Sequence, residues 1–235
     1  SGFKGPARVF EGAHGAFRAF APTATPRLAR LFEGLGEAFV SDTITFKPYP
    51  CGTMVQPYID CAVALRRRGV PLEGIRSITC KAAEGIVHRL WEPLGLKRRP
   101  PTAYAAKFSV PFGVALGLVR GHADLGDFTD AAITDPALLD VAGKVGFAVD
   151  PDNPYPAAFT GHVRIEYENG HVEEIAQGHM RGGNVAPLSR AEIDTKFRAN
   201  LAFGGSDAAD RLLALCDRIG TGQGEAALIR GLGNA

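Results

Sequence analysis

The dipeptide Asn169-Gly170 constrains the fold of this chain more than any other feature. It ends an alternating run in which Val163, Ile165 and Tyr167 share one face, and a second run starts at Val172. Asn-Gly between two such runs is the preferred pair for a type I′ turn, so the spacing predicts a β-hairpin. Adjacent Glu173-Glu174 in the return strand mark a bulge. Three further runs read as strands: Thr43–Phe46, Ile75–Cys80 with period-two alternation, and Lys144–Val149.

Helical signals lie around these strands. Pro26 opens a helix carrying Leu28, Leu31, Phe32 and Leu35 at helical spacing. Gln56-Pro57 opens another, burying Ile59, Ala62 and Val63 and stopping at Gly69. Pro100-Pro101 precedes Thr102, an N-cap. Phe108, Pro111, Phe112, Ala115, Leu116 and Val119 form one stripe ending near Gly121, with Pro111 inside it and expected to kink it. Asp135-Pro136 starts a short helix. Ser189 with Glu192 is a capping box, opening a helix that Gly204-Gly205 ends; Ser206 is expected to cap the next. Near the start, Gly12 and Gly15 among Phe10, Phe17 and Phe20 suggest a tight turn with buried rings. The sum is an α+β fold. It divides into helical residues 1–44, a mixed α/β part at 45–185, and helical residues 186–235.

Composition removes several function classes. Lys plus Arg number 26 against 25 Asp plus Glu, so no global field recruits nucleic acid or an anionic membrane. No apolar run reaches the length of a membrane span. Cys51, Cys61, Cys80 and Cys216 have neither metal-ligand spacing nor the pattern of a secreted disulfide scaffold, which suggests reduced thiols and a cytoplasmic location. No Gly-rich phosphate loop follows a strand. The expectation is therefore no metal and no organic cofactor. Asp124 and Asp127 flank Gly126 and offer cation ligands, but loop acids ordinarily cap and solvate. His88, His122, His162, His171 and His179 read as surface or strand histidines.

The stretch most suggestive of chemistry is Lys47-Pro48-Tyr49-Pro50-Cys51 with the helix beginning at Gln56-Pro57. The prolines hold an extended turn. A lysine at its mouth, feeding a helix N-terminus, is placed to hold an anion. This stretch through Ile59-Asp60 resembles the signature segment of the MmgE/PrpD family. Three further segments agree in order: Phe10–Phe17, Ala106–Phe112, and Pro187-Leu188-Ser189 running to Lys196–Asn200.

That family includes 2-methylcitrate dehydratase, cis-aconitate decarboxylase and iminodisuccinate epimerase, and its members are about twice this long. The resemblance implies a C-terminal portion, with the lid domain at 45–185 inserted into an all-helical domain. Residues 1–44 and 186–235 would belong to that helical domain. The opening Ser1 and the scarcity of Met agree with a longer parent chain. The implied partners are the upstream helical half, or a partner chain, and a second copy in a homo-oligomer, a dimer.

The chemistry the resemblance implies is metal-free lyase work on a small polycarboxylate, dehydration of a 2-methylcitrate-like acid first. An epimerase or isomerase on a dicarboxylate, or a non-catalytic lid-like subunit or degenerate paralogue, is the alternative. Such chemistry needs an acid, a base and cations for the carboxylates. Lys47 is the candidate catalytic residue. Lys107, Gln56, His14, Arg18 and Phe112 are candidates for substrate binding, with His14 and Arg18 four apart. Three positions depart from the family. Gly52 stands where the decarboxylase branch has histidine, Gln56 where many members have a second histidine, and Phe112 where tyrosine is frequent. The implied acid–base set has therefore changed.

Overall fold

The computed structural model describes residues 8–10, 12, 15–20, 27–37, 39 and 44–221. The chain separates into two units, Ser1–Ile44 and Thr45–Ala235. In the first, Gly15 N–H bonds to Gly12 O at 2.8 Å and leads into a short helix, α1 (Ala16–Phe20). The expected buried rings are not there. Phe10 and Phe20 are both exposed, although the rings of Phe10 and Phe17 touch at 5.9 Å. Leu28–Leu31 forms only a 3-10 turn, with Phe32 and Leu35 exposed beyond it. Apolar spacing does not extend a helix without a surface to bury it.

The second unit is built on a four-stranded sheet in the order β2-β1-β3-β4, comprising β1 (Ile75–Ala82), β2 (Val145–Val149), β3 (Gly161–Tyr167) and β4 (Val172–Gln177). β1 pairs parallel with β2, aligning Ile78 with Val145, and antiparallel with β3, aligning Ile78 with Ile165. The β3–β4 hairpin pairs in regular register from Gly161↔Gln177 to Glu166↔Val172, so Glu173-Glu174 is not a bulge. The sheet's irregularity falls between Ile75 and Ser77 instead. The turn also differs from type I′. No described non-glycine residue has positive φ, while Gly170 sits at +84°. Gly170 N–H donates to Tyr167 O and Tyr167 N–H to His171 O. This is a three-residue loop in which glycine takes the left-handed position after the turn. Asn169 needs no such conformation. Thr45 and Phe46 lie in irregular chain, where Phe46 N–H makes a single bond to Gly182 O.

Helices α2 (Gln56–Arg67), α6 (Val110–Arg120) and α7 (Pro136–Lys144) pack on the sheet, with α6 between α2 and α7. The short helices α3 (Glu84–Leu90), α4 (Leu94–Arg98) and α5 (Ala103–Ala106) fill the crossover from β1 to α6. Every residue of α6 from Val110 to Leu118 is buried. A helix this apolar on all sides must be enclosed. Its glycines fix how closely α2 approaches, because a Cβ on Gly117 would stand 2.5 Å from that of Ala62. Pro111 does not kink α6. The helix begins at Val110 with Ser109 as its cap, so Pro111 occupies the first turn, where a missing N–H costs nothing. Two helices close the described chain: α8 (Arg190–Phe203), with the predicted Ser189/Glu192 capping box, and α9 (Ala209–Gly220). Ser206 does not cap α9; Ala208 holds that position and makes no side-chain bond.

Candidate functional site

Lys47–Gly52 forms the irregular turn before α2, and its prolines keep it from joining the helix. Two contacts fix it. The Tyr49 hydroxyl, buried under the turn, donates to Asp60 Oδ1 at 2.7 Å. Gly52 N–H donates to Lys107 O at 2.8 Å. A Cβ on Gly52 would stand 3.3 Å from that carbonyl and 3.2 Å from the Phe108 ring, so glycine suits this close approach. The second contact joins the Lys47 segment to the Lys107 segment, which the sequence alone left apart.

Asp60 lies on the first turns of α2 and is 5% exposed. Besides Tyr49, it accepts from Gln177 Nε2 at 3.1 Å and Arg181 Nη1 at 3.0 Å. Arg181 also pairs with Glu192, whose other carboxylate oxygen closes the α8 capping box on Ser189. One buried carboxylate thus ties the turn, the end of β4, the following loop and α8 together. Burial and the neighbouring Asp60 push the Tyr49 hydroxyl far above its usual range, so it acts as a donor only. Arg181 loses hydration by burial, yet Asp60 and Glu192 hold its pKa above the usual guanidinium range. Backbone and side-chain bonds from Ser189, with Arg181, lower that of Glu192.

Lys47 is exposed, and its Nζ donates to Cys51 O at 3.3 Å. Lys107 is half-buried at the end of α5. Both lysines, with Lys196 of α8, act electrostatically on the Cys51 thiol; burial outweighs them and pushes it up to about 12. Cys51 is therefore a neutral thiol near neutral pH.

Gln56 and Phe112 are fully buried. Among the described residues, neither Oε1 nor Nε2 of the Gln56 amide has a hydrogen-bond partner, which is costly for a buried polar group. Phe112 packs against Phe128 with ring centroids 6.4 Å apart. Arg18 is exposed on α1. His14 lies outside the described residues, and with it the expectation that the two share a face.

His122 joins Asp124 and Asp127, which the sequence reading of the two acids did not foresee. Its Nδ1 lies 3.3 Å from Asp124 Oδ2 and 3.0 Å from Asp127 Oδ2. Asp124 and Asp127 also cap the 3-10 turn Leu125–Asp127, and Arg120 pairs with Asp127. These partners account for the cluster as a capping device. Sequence reasoning missed Asp60, Arg181 and Lys196. Asp60 and Lys196 stood inside the quoted segments without a role, whereas Arg181 follows β4 with no local signal.

The second unit is thus an α+β domain with a four-stranded sheet. A model of the MmgE/PrpD C-terminal domain matches residues 49–219, and the chain belongs to that family, one of dehydratase and lyase type. A search of the curated proteins returns no match. Among the described residues, no helix is long and apolar enough to cross a membrane.

Proposed function

We propose that this chain is the substrate-closing part of a lyase that dehydrates a 2-methylcitrate-like polycarboxylate without a metal. The observation that supports it is the Gly52–Lys107 bond of 2.8 Å, which brings the turn that carries Lys47 beside the segment that carries Lys107. In this reading Lys47 and Lys107 each hold a substrate carboxylate by charge-assisted bonds. Gln56, with both amide atoms unpartnered among the described residues, offers a hydrogen bond to a hydroxyl or carboxylate. It does not exchange a proton near neutral pH, and Phe112 has none to give. Proton transfer therefore falls to groups of a helical half, supplied by the same protein or by a partner chain.

The test is calorimetric titration of 2-methylcitrate into the protein joined to such a half. Lys47→Ala is expected to weaken binding by about 1–3 kcal/mol and to abolish dehydration. Unchanged affinity would reject the assignment of Lys47. Rapid decarboxylation of cis-aconitate by the unaltered protein would reject the altered acid–base set.

A further inference from the structure

Asn169-Gly170 closes the β3–β4 hairpin and takes no part in the site described above. Both residues are exposed, and a Cβ on Gly170 would meet nothing within 4 Å. His171 N–H donates to Asn169 Oδ1 at 2.9 Å, a turn closed through the asparagine side chain. The hydrogen-bonded ring so formed contains both Asn169 Cγ and the Gly170 nitrogen. The same bond draws electrons from the amide carbonyl, as a donor does at an oxyanion, and so makes Cγ the better target for a nucleophile. Glycine leaves the neighbouring nitrogen without a side chain in the way. One restraint opposes attack: Gly170 N–H donates to Tyr167 O at 3.0 Å. That bond sits in an exposed loop at the end of a hairpin, where local opening costs least.

The other asparagines among the described residues lack this combination. Asn153 precedes Pro154, which has no N–H, and its amide is engaged with Tyr155 N–H and the Thr160 hydroxyl. Asn184 precedes Val185, whose branched Cβ crowds the nitrogen. Asn200 lies inside α8, where the helix ladder engages Leu201 N–H. We propose that Asn169 is a site of spontaneous covalent modification, converting to aspartate and isoaspartate through a succinimide closed by Gly170. A solvent base takes the Gly170 N–H proton, and the nitrogen forms a bond to Asn169 Cγ. The Cγ–Nδ2 bond then breaks, and ammonia leaves with a proton drawn from water. A water molecule opens the imide at either carbonyl. Opening at the side-chain carbonyl gives aspartate. Opening at the main-chain carbonyl gives isoaspartate, whose backbone runs through the former side chain and is longer by a methylene. Either product adds negative charge beside Glu168. Aspartate keeps an acceptor for His171 N–H, whereas isoaspartate disturbs the bond from Tyr167 N–H to His171 O that ends the hairpin.

Incubation of the full chain in mildly alkaline buffer, followed by proteolytic peptide mapping with mass spectrometry, tests this. Asn169 is expected to show the amide-to-acid mass gain before Asn153, Asn184 and Asn200 do. Its product is expected as two chromatographic isomers, of which only isoaspartate accepts a methyl group from an isoaspartyl methyltransferase. Conversion is expected to quicken with alkalinity, because the nucleophile forms by loss of the Gly170 proton. Gly170→Ala sets a Cβ beside the attacking nitrogen and is expected to slow conversion about tenfold, equivalent to about 1.4 kcal/mol on the barrier. The same ratio is expected in urea, where no turn is left to disturb. Asn169→Gln, which would have to close a larger ring, is expected to lose conversion at this position. An intact Asn169 in a chain whose Asn184 or Asn200 has converted would overturn the inference. So would aspartate as the sole product, since direct hydrolysis by water yields no isoaspartate, or equal rates for Gly170→Ala and the parent in urea.

Discussion

At the scale of single residues, Asp60 is the group on which the candidate site's geometry depends. It is a buried carboxylate receiving three donors, from Tyr49, Gln177 and Arg181. Asp60→Ala would leave the Tyr49 hydroxyl and a half-buried guanidinium unpartnered, and is expected to cost about 2–3 kcal/mol in urea unfolding. Asp60→Asn keeps the shape and costs less. Equal stability of Asp60→Ala and the parent would show that the turn is held by the Gly52–Lys107 contact alone. Glu192 gives a pH dependence. Bonds from Ser189, then the Arg181 charge, lower its folded pKa below the unfolded value. Its contribution is therefore present above the ordinary carboxylate range and is lost as pH falls through the lowered pKa. Unfolding midpoints are expected to drop on acidification below about pH 4, and Glu192→Gln to flatten that slope.

At the scale of elements, what was legible in the sequence follows from how local the cause was. The hairpin, the Thr102 and Ser189 caps and the Pro57 start are set by a few adjacent residues, and all appear. The turn type was misread because Asn-Gly serves two geometries, and only the pairing register chooses between them. Pro111 was misplaced because the short helix capped by Thr102 ends at Ala106, and Ser109 then caps a new helix just before the proline. The site was less legible still. Lys47 and Lys107 were found as separate segments, but the Gly52–Lys107 bond that joins them is a tertiary contact. Glycines that let helices approach are equally silent in sequence. Gly117→Ala pushes a Cβ to 2.5 Å from Ala62 and is expected to cost about 1–3 kcal/mol. Gly143→Ala, on α7 with open space around it, is expected to stabilise by about 0.4–1 kcal/mol. Melting both variants side by side checks the pair, and a stable Gly117→Ala protein would mean that α2 and α6 separate freely.

At the scale of the whole molecule, apolar surface is distributed unevenly. The sheet and its covering helices enclose Trp91, Tyr58, Phe112 and Leu116 completely. Among the described residues the C-terminal helices close on nothing comparable: no residue of α8 is buried, and α8 and α9 form a groove of about 640 Å3 lined by Ile193, Phe197, Leu213 and Cys216. Val185 and Phe203 add exposed apolar area in the same C-terminal part of the chain. Contiguous surface of this kind drives association. Arg190, Asp194 and Asp217 border the groove with both signs of charge, which a second copy of the same surface can match. The expected outcome is concentration-dependent self-association by sedimentation velocity, together with enhanced fluorescence of an apolar dye that diminishes as association proceeds. Phe197→Ser in the groove is expected to shift the equilibrium towards monomer while leaving the sheet unit's unfolding transition in place. A parent chain that stays monomeric across the accessible concentration range and binds no dye would show that the groove closes in solution.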